Sequence, residues 1–244
     1  VKAGANPRDT AGKADILITI VSDPPALEEV LWGQNGAIEG LRRGSIYIDS
    51  STVSPDLVRK IGKACTERGV GFLDAPVTGG TWGAEKGELV FMVGGEGEIL
   101  ERAKPVLETL GKRIFLLGPT GAGQTVKLAM NLILALQVDA LAEALALVNT
   151  EGVPGERLIE VLQSSMARAG VLDVKAPFML KNEFPPSFPL RLMHKDMRLA
   201  LELAKRHGLN LPAAVASYST YDAVKKSSTD DPDYAAVARF WKKP

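Results

Sequence analysis

The hydrophobic and polar positions of the chain follow two patterns that change near residue 118. Before that point, short apolar runs alternate with stretches whose apolar residues recur at helical spacing. The run at residues 16–21 is continuously apolar, which is typical of a strand buried on both faces. Strands are predicted at residues 16–21, 45–49, 71–74, 89–93 and 113–117, and helices through 28–31, from Ser54-Pro55 to about 68, and at 98–110. Strands that alternate with helices predict a mostly parallel α/β sheet.

After Gly118-Pro119 the strand pattern disappears and only helical patterns follow. We therefore expect an all-α second half, with the domain boundary between residues 118 and 123. Helices are predicted at residues 124–150 and at about 155–164, 172–182, 191–207, 212–226 and 233–241.

The stretch at residues 126–148 is apolar enough to compare with a membrane-spanning helix, which needs about 20 mostly apolar residues. Polar and charged residues interrupt it, so we interpret it as a helix buried in protein. These residues are Lys127, Asn131, Gln137, Asp139 and Glu143. No membrane partner is expected.

Composition and charge narrow the function classes further. Hydrophobic residues make up 45% and charged residues 24% of the chain, which is typical of a globular protein. Lys and Arg together number 29, as do Asp and Glu, and no basic block suggests a nucleic-acid partner. Cys65 is the single cysteine, so no intramolecular disulfide can form, and no Cys/His cluster has the spacing of a metal site. A reducing cytoplasm is the expected location.

Two segments at predicted strand ends carry groups suited to ligand binding. In open α/β sheets, ligands bind beyond the carboxyl ends of the strands. Thr78 offers a hydroxyl, and Gly79 and Gly80 let an anion approach the backbone N–H groups closely. The alternative is that these three residues form only a turn. Thr52 follows another strand, and its alternative role is to cap the next helix.

Lys127 and Asn131 lie four residues apart, so they share one face of the long predicted helix, about 6 Å apart. A lysine among apolar neighbours favours an acid/base role, because burial favours the neutral amine. The alternative is a lysine whose amine extends to water. Lys195-Asp196, considered alone, is interpreted as a surface ion pair.

Four segments occur in a characteristic order along almost the whole chain. They are Asp74-Ala-Pro-Val-Thr-Gly-Gly80 with its continuation to Leu89, Phe91-Met-Val-Gly-Gly95, Gly121-Ala-Gly-Gln-Thr-Val-Lys127 with Asn131, and Phe188-Pro-Leu190 with Lys195-Asp196. Together they resemble the β-hydroxyacid dehydrogenase family, whose members oxidise or reduce small acids with a nicotinamide cofactor. The resemblance implies a Rossmann-like NAD(P)-binding domain at residues 1–119. It also implies an all-α substrate and dimerisation domain at 120–244.

The resemblance also implies a role for each candidate residue. Lys127 takes the position of the family's catalytic lysine, and Asn131 that of its partner one turn later. Matches to the loop that holds a substrate carboxylate are Thr78, Gly79 and Gly80, where threonine replaces the commoner serine. Matches to cofactor-contacting positions are Val21, Ser22, Thr52 and Lys195.

The expected function is hydride transfer between NAD or NADP and a small β-hydroxy acid or its semialdehyde, 3-hydroxyisobutyrate-like or glyoxylate/succinic semialdehyde-like. Two alternatives are a non-catalytic interaction module that keeps the fold and an imine reductase-like relative. Both typically lack the lysine that this chain retains as Lys127. The long apolar helix predicts a homodimer or homotetramer.

The sequence departs from the family pattern at its beginning. Members of the family start with a strand, a Gly-x-Gly-x-x-Gly turn and a second strand that selects NAD or NADP. Gly4 and Gly12 do not form that fingerprint. The expected fold is therefore α/β with an N-terminally incomplete Rossmann-like domain, in which the determinants of cofactor choice cannot be identified.

Overall fold

The computed structural model describes residues 3–241, and the chain divides into two compact units, residues 1–128 and 129–244. The first unit combines a six-stranded sheet with helices. The second consists of helices. The predicted architecture, an α/β Rossmann-like part followed by an all-α part, is confirmed.

The sheet of the first unit has the strand order β1-β2-β3-β5-β4, with β6 paired to β5. Its strands are β1 (Ile16–Thr19), β2 (Ile46–Asp49), β3 (Gly71–Asp74), β4 (Val77–Thr78), β5 (Leu89–Gly95) and β6 (Gly111–Gly118). The pairs β1–β2, β2–β3 and β5–β6 are parallel, whereas β5 runs antiparallel to β3 and β4. The sheet is therefore mixed, with parallel pairing from β1 to β3 and again between β5 and β6.

Five helices belong wholly to the first unit, and polar residues begin several of them. They are α1 (Pro7–Lys13), α2 (Pro24–Trp32), α3 (Pro55–Thr66), α4 (Gly80–Glu85) and α5 (Gly97–Leu110), with a 3-10 turn at Ala37–Glu39. Asp23 caps α2 and Ser54 caps α3, and each is followed by proline at the first helical position. The predicted start of α3 is confirmed; α1, α4 and β4 were not predicted.

Two apolar clusters of buried residues form the core of the first unit. One includes Leu27, Tyr47 and Ile61, and the other includes Ile48, Leu73 and Leu107. Cys65 lies in the first cluster with 0% exposure, and burial raises the pKa of its thiol to about 12.

The strand predicted at residues 16–21 is shorter and less enclosed than its apolar run suggested. β1 ends at Thr19 and lies at one edge of the described sheet. Ile16 and Ile18 are half-buried, and Ile20 is 65% exposed beyond the end of the strand. Among the described residues the burial of β1 therefore alternates, with Leu17 and Thr19 buried and Ile16 and Ile18 half-buried, and burial on both faces is not observed.

The helix α6 (Ala122–Thr150) begins in the first unit and continues into the second. Among residues 3–241 it is the single helix long and apolar enough to cross a membrane by length and composition. Four of its polar residues are buried, namely Gln124, Lys127, Asn131 and Asp139, whereas Gln137 is half-buried and Glu143 is exposed. Their burial supports the interpretation of α6 as a helix packed within protein.

The second unit packs its helices around one apolar core that includes Val138, Met193 and Tyr221. The remaining helices are α7 (Gly155–Gln163), α8 (Gly170–Lys181), α9 (Leu190–Arg206) and α10 (Pro212–Ser227), and a 3-10 helix spans Tyr234–Trp241. All of these segments were predicted as helical. The last one winds more tightly than an α-helix.

A buried ion pair joins α8 to the last segment of the chain. The Lys175 ammonium lies 2.7 Å from Asp233 Oδ2, and their side chains are 5% and 0% exposed. Asp233 also accepts the backbone N–H groups of Phe188 at 2.9 Å and Ala235 at 3.0 Å. This carboxylate therefore fixes the connector before α9 as well as the 3-10 helix.

Candidate functional site

The parallel strands β1, β2 and β3 place their carboxyl ends side by side. Asp49, the last residue of β2, lies opposite Thr19 on one neighbour and Asp74 on the other. Val21 follows β1 at the same edge. Polar groups lie at these strand ends, as expected. Several of them are buried and connect the loops that follow the strands.

The Asp49 carboxylate organises the first of these loops. Its Oδ1 accepts hydrogen bonds from the hydroxyls of Thr19 and Ser51, both at 2.8 Å. The Ser51 hydroxyl oxygen in turn accepts the Val21 N–H at 3.0 Å. The backbone after β1 is thereby tied to the backbone after β2. Ser22, the next predicted residue, is exposed and donates its hydroxyl to Asp23 at 2.9 Å.

The Asp74 carboxylate holds the beginning of α6. Its two oxygens accept the N–H groups of Gly121 at 2.7 Å and Gln124 at 2.9 Å. A carboxylate in this place satisfies free N–H groups and interacts favourably with the positive end of the helix dipole. Asp74 therefore already occupies the N–H group of Gly121 in the glycine-containing segment before α6.

Burial raises the pKa of both Asp49 and Asp74 to about 6, despite the hydrogen bonds that favour their charged forms. In the unfolded chain such groups titrate near pH 4. Between about pH 4 and 6 the folded protein thus keeps protons that the unfolded chain loses. Each carboxyl consequently lowers stability as the pH rises through this window, and the cost is complete above it.

We expect Asp49→Asn to become more stable relative to the wild-type protein as the pH rises. Asparagine keeps the oxygen that accepts from Thr19 and Ser51 but removes the buried charge. The difference in unfolding free energy between variant and wild type should shift by about 1 kcal/mol in favour of the variant from pH 5 to pH 7.5. Urea unfolding at the two pH values measures it, and a constant difference would contradict the raised pKa.

The side chain of Gln124 forms hydrogen bonds with the backbone of the two residues that flank Thr52. Its Oε1 accepts the Val53 N–H at 3.0 Å, and its Nε2 donates to the Ser51 carbonyl at 2.8 Å. Thr52 itself is half-buried. The alternative role of Thr52 as a helix cap is wrong, because Ser54 caps α3.

Thr78 ends the two-residue strand β4, where it pairs with Val90 of β5 and is half-buried. Gly79 has φ 132°, which favours glycine, and Gly80 has φ 62°. Both glycines are exposed, so their backbone can be approached from solvent. The three residues connect β4 to α4. Trp82 on α4 is 58% exposed, with the Lys86 ammonium 4.2 Å from its ring centre.

Lys127 lies in the second turn of α6 and is 8% exposed. An amine that extended fully into water would be far more exposed, so the structure does not support that alternative. Asn131 follows one turn later on the same helix and is 2% exposed.

The Asn131 side chain is oriented by Asp196 of α9. Its Nδ2 donates to Asp196 Oδ2 at 2.6 Å, and the Lys195 ammonium lies 3.2 Å from Asp196 Oδ1. Lys195 and Asp196 are 12% and 2% exposed, so the expected surface ion pair was wrong: the pair is buried. Because the amide nitrogen is directed to a carboxylate, Asn131 presents its carbonyl oxygen as an acceptor.

His194, the neighbour of Lys195, has a structural environment. Its ring stacks on Tyr218 at 4.6 Å, and Nε2 lies 3.0 Å from Asp222 Oδ1. Burial and then the nearby Lys225 charge lower its pKa. The ring is therefore predominantly neutral near pH 7 and connects α9 to α10.

The predicted residues thus fall into groups within each unit. In the first, Ser51 and Gln124 connect the backbone around Val21 and Thr52 to the helix that carries Lys127. In the second, Asp196 connects Asn131 to Lys195. Gln124, Ser51, Asp49, Asp74 and Asp196 were not predicted as site residues. The available signal was that Asp74, Gln124 and Asp196 lie within the quoted motifs.

The carboxyl edge of the sheet suits a dinucleotide. Ile20 exposes an apolar side chain directly after β1, where a flat ring could cover it, and Ser22 adds an exposed hydroxyl. Thr52 lies beyond the neighbouring strand. These residues lie beyond the carboxyl ends of the strands, where ligands of open α/β sheets bind.

Comparisons with known proteins give a consistent result over both units. Residues 1–118 match the family model described as the NAD binding domain of 6-phosphogluconate dehydrogenase. Residues 121–241 match the model described as NAD-binding of NADP-dependent 3-hydroxyisobutyrate dehydrogenase.

Individual proteins show the same similarity. The chain is 36% identical to 2-hydroxy-3-oxopropionate reductase of Escherichia coli over 95% of this chain and 80% of the relative. It is 35% identical to glyoxylate/succinic semialdehyde reductase 2 of Arabidopsis thaliana, over 97% and 66% of the two chains. Among solved structures, 3-hydroxyisobutyrate dehydrogenase of Mycobacterium tuberculosis with L-serine superposes with a TM-score of 0.88 at 30% identity, covering 97% and 82%.

Proposed function

This chain belongs to the β-hydroxyacid dehydrogenase family, and on that premise we propose that it interconverts a small β-hydroxy acid and its semialdehyde with Lys127 as the acid/base. The observation that carries the proposal is the burial of Lys127 on α6, one turn before an asparagine held by a buried carboxylate. The cofactor is NAD or NADP, which supplies the hydride in reduction and accepts it in oxidation.

Lys127 gives a proton to the carbonyl oxygen of the substrate in reduction and removes it from the hydroxyl in oxidation. Lys127 is 8% exposed, so little solvent reaches its side chain and a bound substrate can be its proton-transfer partner.

Asn131 supplies an acceptor beside this proton transfer. Its amide nitrogen donates to Asp196, so its carbonyl oxygen remains to accept from the substrate hydroxyl or from the Lys127 ammonium. We therefore assign Asn131 the role of orienting a donor through its carbonyl oxygen.

The substrate carboxylate is assigned to Thr78, Gly79 and Gly80. A hydroxyl and two exposed, glycine-flanked N–H groups suit a carboxylate, which accepts several hydrogen bonds. The substrates named for similar proteins are 2-hydroxy-3-oxopropionate and glyoxylate or succinic semialdehyde. All are small carboxylates with a nearby carbonyl, and we assign this chain to that substrate class.

A homodimer or homotetramer formed through the helical unit completes the proposal. Several apolar residues of α6 in that unit are exposed, including Ile133 at 56% and Leu147 at 69%. Their burial between subunits would add to stability.

The proposal is tested by assaying the purified protein with NAD and NADP against a panel of small β-hydroxy acids and semialdehydes. We expect turnover with at least one of them, together with oxidation or reduction of the nicotinamide. Binding of dinucleotide without turnover of any member would favour the non-catalytic alternative.

We expect Thr78→Val to weaken substrate binding more than it slows turnover. Valine keeps the shape of threonine but removes the hydroxyl, and a hydrogen bond to a charged group contributes about 1.5–3 kcal/mol. KM should therefore rise roughly tenfold or more with little change in kcat. Thr109→Val is the matched control, since the Thr109 hydroxyl bonds only its own helix, to the Val106 carbonyl. An unchanged KM would remove Thr78 from the site.

A further inference from the structure

Gln124 is held in place from both sides. Its backbone N–H donates to Asp74 at 2.9 Å, and its side chain is fully buried against the loop after β2. Both ends of the side-chain amide are used, one by the Ser51 carbonyl and the other by the Val53 N–H. Neither bond is part of the sheet or of a helix, so Gln124 holds the loop from α6 while Asp49 holds it from β2.

An amide of this length is chemically specific for the task. The loop offers one acceptor before Thr52, the Ser51 carbonyl, and one donor after it, the Val53 N–H. The glutamine amide matches them with one donor and one acceptor. Glutamate has no donor when it is ionised, and asparagine is one methylene shorter. The residue type is therefore set by the loop and not by packing alone.

The arrangement has a consequence for the reaction. Gln124 precedes Lys127 by three residues on α6, so the two side chains lie close to one another on the helix surface. Thr52 is displayed between the two peptide groups that Gln124 binds. One side chain thus sets the distance between the cofactor-side loop and the helix turn that bears the lysine.

We propose that Gln124 is a positioning residue that holds Thr52 at a fixed distance from Lys127, and so aligns the nicotinamide with the proton donor. This role rests on the proposed function. It differs from simple stabilisation, because a displaced loop changes cofactor binding and hydride transfer even in a folded protein.

The test compares Gln124→Glu with the wild-type protein between pH 5 and pH 8. Ionised glutamate repels the Ser51 carbonyl, whereas protonated glutamate has one donor and one acceptor and can restore both bonds. We expect the affinity for NAD(P)H, measured by fluorescence titration, and the single-turnover rate to fall about tenfold or more near pH 8 and to recover toward pH 5. The protection factor of the Val53 amide, which corrects for the intrinsic pH dependence of exchange, should fall below that of the wild type near pH 8 and match it near pH 5.

Gln34→Glu, an exposed site in the same unit, controls for the added charge and should show none of these changes. Gln124→Asn provides a second variant if the glutamate form does not fold, and it should bind NAD(P)H more weakly at every pH. The proposal is overturned if affinity and single-turnover rate of the folded variants match the wild type while only the melting temperature falls.

Assays of the wild-type protein distinguish failure of the proposed function from failure of the positioning role. If the wild-type protein binds dinucleotide but turns over no substrate, the proposed function is wrong. The positioning role then stands or falls with the pH-dependent binding and the exchange at Val53. A wild-type protein that binds neither NADH nor NADPH overturns both.

Discussion

Replacing Lys127 with alanine is expected to lower kcat by about 10²–10⁴-fold, the range typical for the loss of a general acid/base. Since the amine acts only in the chemical step, kcat and kcat/KM should fall together, whereas the affinity for NAD(P)H should change little. Stopped-flow and steady-state assays of nicotinamide absorbance measure these quantities.

The variant must remain folded for that result to be informative. Lys127→Met keeps most of the side-chain volume on the buried face of α6 and should show the same loss. Lys112→Ala is the control, because that lysine is 56% exposed and pairs with Glu88 at the surface. Full turnover by either Lys127 variant would sink the assignment of the proton donor.

Loss of the Asp233 carboxylate is expected to have the largest effect on stability. Asp233→Asn leaves the Lys175 ammonium buried beside a neutral group, and breaking a buried ion pair in this way typically costs about 3–5 kcal/mol. The amide can also accept fewer of the three bonds that Asp233 receives from Lys175, Phe188 and Ala235. Urea unfolding followed by circular dichroism measures the difference.

The unfolding free energies of two further variants distinguish the effect of the buried charge from a general effect of mutation. Combining Lys175→Met with Asp233→Asn should recover part of the loss, because the uncompensated charge is removed. Glu160→Gln breaks an exposed ion pair with Arg157 on α7 and should cost less than about 1 kcal/mol. If Asp233→Asn were no more costly than Glu160→Gln, the ion pair would not contribute as described.

The sequence predicted the longer elements because their periodic patterns agree with their surroundings. The start of α3 at Pro55 and the long α6 are examples in which capping residues or apolar periodicity are unambiguous. The helices α1 and α4 are short, with seven and six residues, and each buries little apolar surface. A weak pattern of this kind gives no reliable signal.

The contacts that build the candidate site could not be predicted from the sequence. Gln124 and Ser51 are 73 residues apart, and Asn131 and Asp196 are 65 apart. No local rule connects such positions. The candidate residues themselves came from motifs, whereas their orientation, such as the direction of the Asn131 amide, depends on tertiary contacts.

Because Cys65 is buried, its reaction with thiol reagents reports local unfolding of the first unit. Thiol reagents attack the thiolate, and burial keeps this thiol protonated and out of solvent. Labelling can therefore proceed only through molecules in which the first unit has transiently opened. The labelling rate of Cys65 therefore measures how often the first unit unfolds locally. A cysteine introduced at the surface will react with a fluorophore much faster than this buried native thiol.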